Sequence, residues 1–191
     1  MASVVDAIYG RRAVRAYRDE AVSRGDIAAL IEAAVQAPSA GNVQPWRFVV
    51  VQDPTLLDRF AREAKDLLLA EPPPPEVATS GLPDLDRLRR MVADPGYVLF
   101  HGAPALVVIY ATSADGVPDC FLAAQNLMLA AWERGLGTCP IGLATPLLNR
   151  AEVKRELGTP SAWVAALPVV VGHPAGPAAA VPRNLPVVTW R

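Results

Sequence analysis

Three arginine side chains lie within five residues of one another near the N-terminus, in the string Arg11-Arg12-Ala13-Val14-Arg15. A guanidinium binds a phosphate group through paired hydrogen bonds and keeps its charge at any pH at which proteins work. Three of them at the end of a predicted helix can converge on one dianion. The string is also typical of a basic turn that is solvated and binds nothing, and taken alone that interpretation is the commoner one.

A second polar segment runs from Pro38 to Trp46 and is followed directly by a predicted strand. The side chains of Ser39, Asn42 and Gln44 offer both hydrogen-bond donors and acceptors. Gly41 would allow the backbone to approach a planar ligand closely. An ordinary loop between a helix and a strand is the alternative, but the two prolines that restrict this segment favour a binding role.

Two further segments could add backbone donors or positive charge. The stretch from Gly135 to Gly142 contains Pro140 and Ile141, and its backbone N–H groups could face a ligand. Read in isolation, a tight turn around a short strand is about as good an interpretation. Arg183 lies in a tail with few other charges, where it could join a phosphate site or remain solvated.

Composition restricts the class of protein. The 191 residues are 52% hydrophobic and 19% charged, with a formal net charge of -1, which predicts one folded domain over residues 1–191. This balance argues against a nucleic-acid surface. The apolar runs are too short to span a membrane, and the N-terminus lacks the pattern of a signal peptide, so we expect a cytoplasmic protein.

Side chains suited to direct catalysis are scarce. His101 and His173 lie in no triad or zinc motif, and Cys120 and Cys139 form no Cys-x-x-Cys pair. We therefore predict no metal site, and both cysteines as small buried residues. An enzyme built from this inventory would rely on a bound cofactor for its chemistry, with no catalytic side chain.

These segments must be positioned by elements that the apolar periodicity predicts. The predicted helices are a short one from Ser3 to Tyr9, one capped by Ser23 and stopped by Pro38, one opened by Asp53-Pro54, a short one near Asp84 to Met91, an apolar one from Asp119 to Arg134 and one near Ala151 to Leu157. The predicted strands run from Trp46 to Val51, from Pro104 to Ala111, near Thr138 and from Ala165 to Val171, and the chain has a strand-like end from Val187 to Trp190. Strands and helices alternate irregularly, without a P-loop or GxGxxG motif. This order favours an α+β fold with a mixed sheet.

The order of the motifs resembles that of one family of flavoproteins. The string Arg11 to Arg15 and the segment Pro38 to Trp46 are followed by Ala103-Pro104-Ala105-Leu106-Val107-Val108, then by the apolar stretch Ala124 to Ala131, and finally by Gly135-Leu136-Gly137. In this order and spacing they resemble the nitroreductase family over nearly the whole chain, apart from residues 71–96.

The resemblance implies a mainly antiparallel sheet flanked by helices, in a domain-swapped homodimer with two FMN sites at its interface. Arg11, Arg12 and Arg15 would hold the phosphate and ribityl chain, joined by Arg183. The loop residues that would reach the flavin are Pro38, Ser39, Ala40, Asn42 and Gln44, with the Ser39–Asn42 part supplied by the other subunit. The segment Pro140, Ile141 and Gly142 would lie over the ring, with one backbone N–H near N5.

The implied activity is a ping-pong transfer of hydride from NADH or NADPH, through flavin N5, to small organic acceptors such as nitroaromatics or quinones. The apolar helix would form the dimer core, and residues 174–191 would wrap the partner. Alternatives are a flavin-binding or storage protein without nicotinamide turnover, and a family member specialised in flavin cleavage or reductive dehalogenation.

Two features depart from the family pattern. Ala13 stands where many members have serine, so one hydroxyl contact to the cofactor site is missing. Loss of a neutral hydrogen bond costs about 1 kcal/mol, which would weaken FMN binding without abolishing it. The proline-rich segment over residues 71–96 matches no family pattern and is interpreted as an irregular, lid-like excursion within the domain.

Overall fold

Strand β2, Ala105–Ala111, is buried along its whole length at the centre of the fold. The protein is seen in a computed structural model that describes residues 3–70 and 85–191. The other strands are β1 Trp46–Val51, β3 Gly137–Pro140 and β4 Val164–Gly172. The helices are α1 Val4–Gly10, α2 Arg24–Ala34, α3 Pro54–Ala70, α4 Leu85–Ala93, α5 Val117–Glu133, α6 Thr145–Leu148 and α7 Ala151–Glu156.

The strands form a four-stranded sheet in the order β1-β2-β4-β3, and each neighbouring pair is antiparallel. A parallel pairing occurs as one isolated bridge, between Ala13 and Thr138. The sheet is therefore mixed and mainly antiparallel, as the sequence predicted.

Successive side chains of β2 point to opposite faces of the sheet, and each face carries its own apolar core. Val107 and Ile109 belong to the core that packs under α2 and α5. Leu106, Val108 and Tyr110 belong to the core on the opposite face, with side chains of α3, α6 and α7. Because both faces are covered, β2 reads in the sequence as a continuous apolar run.

Local signals account for where the helices begin. Ser3 and Asp6 form a reciprocal capping box at α1, and the Ser23 hydroxyl accepts a hydrogen bond from Asp26 N at α2. The Asp53 carboxylate accepts from Thr55 N at 2.8 Å at the start of α3. The predicted starts of these helices are thus confirmed.

Helix α5 buries one face, at helical spacing from Cys120 to Ala131, and leaves apolar side chains on its other side exposed. Leu127 is fully buried, whereas Phe121 is 48% and Leu122 46% exposed. Helix α1, which packs on α5, exposes Val4 and Ile8 in the same way. Together these side chains form an apolar surface, called here the α1–α5 surface, that a single chain does not cover.

The tail differs from the sequence prediction. The structure assigns no regular secondary structure after the bridge at Pro174, so the predicted strand-like end over Val187 to Trp190 is wrong for the isolated chain. Val187 and Trp190 are almost fully exposed, and no strand among the described residues supplies the backbone partners that a strand needs.

Other predictions are outside the described residues or agree with the structure. The proline-rich part of the excursion falls on residues 71–84, which lie outside the described residues; the short helix after it is present as α4. Cys120 and Cys139 are free and buried, as predicted. Within the described part of the chain, no helix is long and apolar enough to cross a membrane.

Candidate functional site

The arginine string lies beside β3 as an extended segment. Val14 N donates to the carbonyl of Thr138 at 2.9 Å, and Ala13 forms the parallel bridge to the same residue. Gly137 makes this close approach possible, since a Cβ at that position would lie 2.8 Å from Val14. The string is therefore held against the edge of the sheet by backbone contacts, which leaves its arginine side chains available for other partners.

The tail folds back over the string and closes a cavity with it. Ala175 N donates to the carbonyl of Ala16 at 2.9 Å, and Tyr17 pairs with Pro174. The resulting cavity has a volume of about 660 Å³. Its lining joins the string to the tail: Arg11, Arg12, Ala13, Val14, Arg15, Ala16, Ala175, Gly176, Pro177, Ala178, Ala179, Val181 and Arg183. The structure thus brings Arg183 to the arginine string across about 170 residues of sequence.

The four arginines of this cavity carry positive charge that no carboxylate of the described residues balances. Among the described residues, the ion pairs involve none of them. Burial lowers the pKa of Arg11, and the neighbouring charges of Arg183 and Arg12 lower it further. Convergent charges of one sign repel each other, so a bound anion would stabilise this arrangement.

Arg12 also has a structural role. Its guanidinium donates to the carbonyl of Tyr9 at 2.6 Å and to that of Arg11 at 2.8 Å, at the C-terminus of α1. A guanidinium has five N–H donors, so further donors of Arg12 remain for a ligand. The interpretation of the string as a turn that touches nothing does not hold for this residue.

Of the three residues Pro140, Ile141 and Gly142, one has a backbone donor without an acceptor among the described residues. Pro140 has no N–H, and Ile141 N already donates to the carbonyl of Pro168 at 2.8 Å. Gly142 is exposed, and its N–H has no acceptor among the residues that the structure describes. If a ligand atom receives a hydrogen bond from this segment, Gly142 is the donor.

The polar loop is organised by its own side chains. Ser39 Oγ accepts from Gln44 N at 2.9 Å, and Gln44 Nε2 donates to Asn42 Oδ1 at 3.1 Å. Asn42 has φ 56° and Gln44 has φ 52°, in the left-handed region that non-glycine residues seldom adopt. Pro38 and Ala40 belong to the same loop, and Ala40 N donates to the Asp119 carboxylate at 3.3 Å.

Within one chain this loop and the arginine cavity lie at opposite ends of the sheet. The loop meets the sheet where Trp46 pairs with Ala111. The arginine string meets it where Thr138 pairs with Val171, and Val171 pairs with Ala105 at the other end of β2. No residue of the loop lines the arginine cavity. One chain therefore holds two separate halves of the predicted site.

Sequence reasoning missed the tail residues that close the cavity. Ala175, Gly176, Pro177, Ala178 and Ala179 line it with small side chains. Such a stretch carries no chemical signal of its own, because its contribution is shape and a backbone path that leads to Arg183. No group of three or more potential metal ligands occurs among the described residues.

Comparison with known proteins identifies the family. The model of the nitroreductase family matches residues 8–173, a span that includes the arginine string, the polar loop and the whole sheet. The chain belongs to the nitroreductase family. The family resemblance inferred from the order of the motifs is thus confirmed.

Similar proteins cover almost the full chain. A protein of Archaeoglobus fulgidus with the provisional name NADH dehydrogenase/NAD(P)H nitroreductase is 32% identical over 91% of this chain and 87% of its own length. The iodotyrosine deiodinase of Thermotoga neapolitana is 30% identical over 100% of this chain and 98% of its own. A nitroreductase from Bacteroides fragilis, solved with bound FMN, superposes with a TM-score of 0.78 at 25% identity over 100% of this chain and 98% of its own.

Proposed function

We propose that this protein is an FMN-dependent oxidoreductase that takes electrons from NADH or NADPH and passes them to small organic acceptors such as nitroaromatics or quinones. The observation that carries the proposal is the convergence of Arg11, Arg12, Arg15 and Arg183 on one cavity without a carboxylate partner among the described residues. A phosphate monoester, which carries close to two negative charges, fits such a donor set. Membership of the nitroreductase family supports FMN as the molecule that carries this phosphate.

The residues of this chain would divide the work of holding the cofactor. Arg11, Arg12 and Arg183 would bind the phosphate, and Arg15 would reach toward the ribityl chain. Gly142 would donate its backbone N–H toward the ring, because its neighbours Pro140 and Ile141 have no free donor. Ala13 supplies no hydroxyl, so backbone and guanidinium donors carry the phosphate contacts. Bound FMN supplies reversible two-electron chemistry, which this chain's own side chains do not offer.

The proposal includes a homodimer, because one chain does not assemble the whole site. The α1–α5 surface exposes large apolar side chains, such as Ile8 and Phe121, on two helices that pack on each other, and exposed apolar side chains of this kind favour an interface. Pairing of two chains across this surface would allow the polar loop of one chain to complete the arginine cavity of the other. The exposed tail, with Trp190 90% exposed, would then lie on the partner.

The first test is the visible absorption spectrum of the purified protein, before and after NADH or NADPH is added without oxygen. We expect a flavin spectrum that either nucleotide bleaches and that a nitroaromatic or quinone restores. A spectrum that persists with both nucleotides would support flavin binding or storage instead of turnover. Titration of the apoprotein with FMN and with riboflavin should show strong preference for FMN; equal affinities would contradict a phosphate site at the arginines.

Reductive dehalogenation is a second candidate, favoured by the full-length similarity to the iodotyrosine deiodinase of Thermotoga neapolitana. This activity would use the same FMN-binding residues and would differ in the residues that cover the acceptor. The measurement is release of iodide from 3-iodotyrosine by the chemically reduced protein, compared with reduction of a nitroaromatic by the same preparation. Faster turnover of the iodinated substrate would assign the dehalogenase function.

A further inference from the structure

Tyr17 lies where the arginine string and the tail come together. Its hydroxyl donates to the carbonyl of Val14, within the string, at 2.8 Å. Its backbone forms the antiparallel bridge to Pro174, where the tail begins. The residue therefore contacts both segments that enclose the arginine cavity, although no site predicted from the sequence includes it.

The ring of Tyr17 packs on the end of β4. A Cβ added at Gly172, the last residue of that strand, would lie 2.6 Å from Cδ1 and 3.2 Å from Cγ of the ring. The same Cβ would lie 2.7 Å from Cδ of Pro104. The next residue of the chain continues the pairing with the tail, because Arg18 N donates to the carbonyl of His173 at 2.8 Å. Ring and backbone contacts together fix the place of this tyrosine.

The hydroxyl of Tyr17 has a role that this packing does not explain. Phenylalanine would fill the same space against Gly172 and would form the same bridge to Pro174. What the hydroxyl adds is its hydrogen bond to the carbonyl of Val14. Burial raises the pKa of Tyr17, so the phenol stays protonated and remains a donor.

The hydrogen bond from Tyr17 fixes the backbone of the arginine string on its second side. Val14 N donates to the carbonyl of Thr138 at 2.9 Å, and the carbonyl of Val14 accepts from Tyr17. Both peptide groups that flank Val14 are therefore restrained. Because a peptide group is planar, the direction of the Val14 carbonyl also sets where the Cα of Arg15 lies. Arg15 lines the cavity with an exposed side chain, so the position of its backbone directs its guanidinium.

We propose that Tyr17 is a positioning residue of the cofactor site, whose hydroxyl fixes the Val14 carbonyl and thereby directs Arg15 into the cavity. This inference rests on the proposed function, because it requires FMN in the arginine cavity. Tyr17 would act through the backbone of the string and would not touch the cofactor. Without the hydroxyl, the peptide group before Arg15 would lose a restraint, and FMN would have to order it on binding at a cost in affinity.

The test is Tyr17→Phe, which removes the hydroxyl and keeps the ring against Gly172. The Kd for FMN, measured by quenching of flavin fluorescence in titrations of the apoprotein, should rise about threefold to tenfold. The melting temperature of the apoprotein should fall by about 2–4 °C, because one hydrogen bond is lost.

Tyr110→Phe is the matched control. The Tyr110 hydroxyl also donates to a backbone carbonyl, that of Leu148, at 3.1 Å. It lies near the end of β2 that meets the polar loop, since Tyr110 pairs with Arg47. This variant should lose a similar amount of thermal stability and bind FMN as tightly as the wild type. An equal loss of FMN affinity in both variants would show a general effect of lost stability and would overturn the inference.

A double-mutant cycle with Arg15→Ala shows whether Tyr17 acts through Arg15. In the Arg15→Ala background, Tyr17→Phe should leave the Kd for FMN unchanged. Additive effects of the two substitutions, or wild-type affinity of the Tyr17→Phe variant, would overturn the inference while leaving the proposed function in place. Failure of the wild-type apoprotein to bind FMN would overturn both.

Discussion

The arginine end of the sheet and the polar loop at its other end are both rich in ligand-binding groups, but only the arginine end forms a cavity with distant residues of the same described chain. At the arginine end, the string and the tail close a cavity within one chain, and Arg183 arrives from a distant part of the sequence. At the other end, Ser39, Asn42 and Gln44 satisfy one another and face no cavity shared with the arginines. One chain thus closes the arginine cavity by itself, whereas its polar loop lines no part of that cavity and would, in the proposed dimer, complete the cavity of the partner.

The difference has a simple physical basis. Four like charges on one cavity favour a bound anion, because no carboxylate of residues 3–70 or 85–191 pairs with them. The loop has neutral amides and a hydroxyl, which can form hydrogen bonds with one another at little cost until a ligand or a second chain replaces those bonds. We therefore expect the phosphate contacts to dominate affinity and the loop to contribute orientation.

The largest effect should come from removing charge at the arginine end. The double substitution Arg11→Ala and Arg183→Ala removes charge-assisted hydrogen bonds that contribute about 1.5–3 kcal/mol each. The Kd for FMN should rise about a hundredfold or more, whereas the weaker Kd for riboflavin should hardly change. Isothermal titration of the apoprotein measures both constants. Arg62→Ala, on the exposed side of α3, is the control and should behave as the wild type.

A substitution in the loop, with a smaller expected effect on FMN affinity, can show which chain completes the site. Asn42→Gly removes the amide while keeping a backbone that accepts φ 56°, so the fold should tolerate it and FMN affinity should fall about tenfold. Mixing this variant with Arg11→Ala gives hybrid dimers. If the loop reaches the partner's cavity, each hybrid contains one fully wild-type site, and tight FMN binding should return at one site per dimer.

Native mass spectrometry verifies that the two variants exchange subunits. If the exchanged mixture still does not bind FMN tightly, the loop and the arginines of each site lie in the same chain. A control uses Asn42→Gly combined with Leu122→Lys, which puts a charge into the α1–α5 surface. That protein should sediment as a monomer and rescue nothing. Leu69→Lys, on the exposed side of α3, should leave the dimer intact.

The smallest effects on FMN affinity should come from two glycines, one packed against the arginine string and one against the end of the polar loop. A Cβ at Gly137 would meet Val14 at 2.8 Å, and a Cβ at Gly116 would meet Pro45 at 2.6 Å. Each Gly→Ala substitution should cost about 1–3 kcal/mol of unfolding free energy, measured by denaturant titration. Gly137→Ala should weaken FMN more than riboflavin, whereas Gly116→Ala should weaken both alike.

Gly25→Ala is the matched control for these two variants. It lies in α2, where an added Cβ finds its nearest neighbour at an ordinary 3.7 Å and alanine is a better helix former. Its unfolding free energy should equal or slightly exceed that of the wild type. A loss as large as that of Gly137→Ala would show that the close contacts at Gly137 and Gly116 are not the cause of their effects.

Much of the fold was readable because it depends on short-range signals. The Ser23 cap, the Asp53-Pro54 start and the apolar runs of β1 and β2 each act within a few residues, and the structure confirms the elements that they predict. The strand-like end at Val187 failed for the opposite reason. A strand requires backbone partners from elsewhere, and side-chain pattern alone does not supply them.

The sequence by itself determined which residues could bind an anion and a flavin, because guanidinium, amide and glycine chemistry is a property of residue type and local spacing. It also determined the order of motifs that identifies the family. Only the tertiary structure decided that Arg183 lines one cavity with the string, and that Gly142, unlike Pro140 and Ile141, has an N–H without an acceptor among the described residues. These depend on strand register and on the path of the tail, which arise from contacts between residues far apart in sequence.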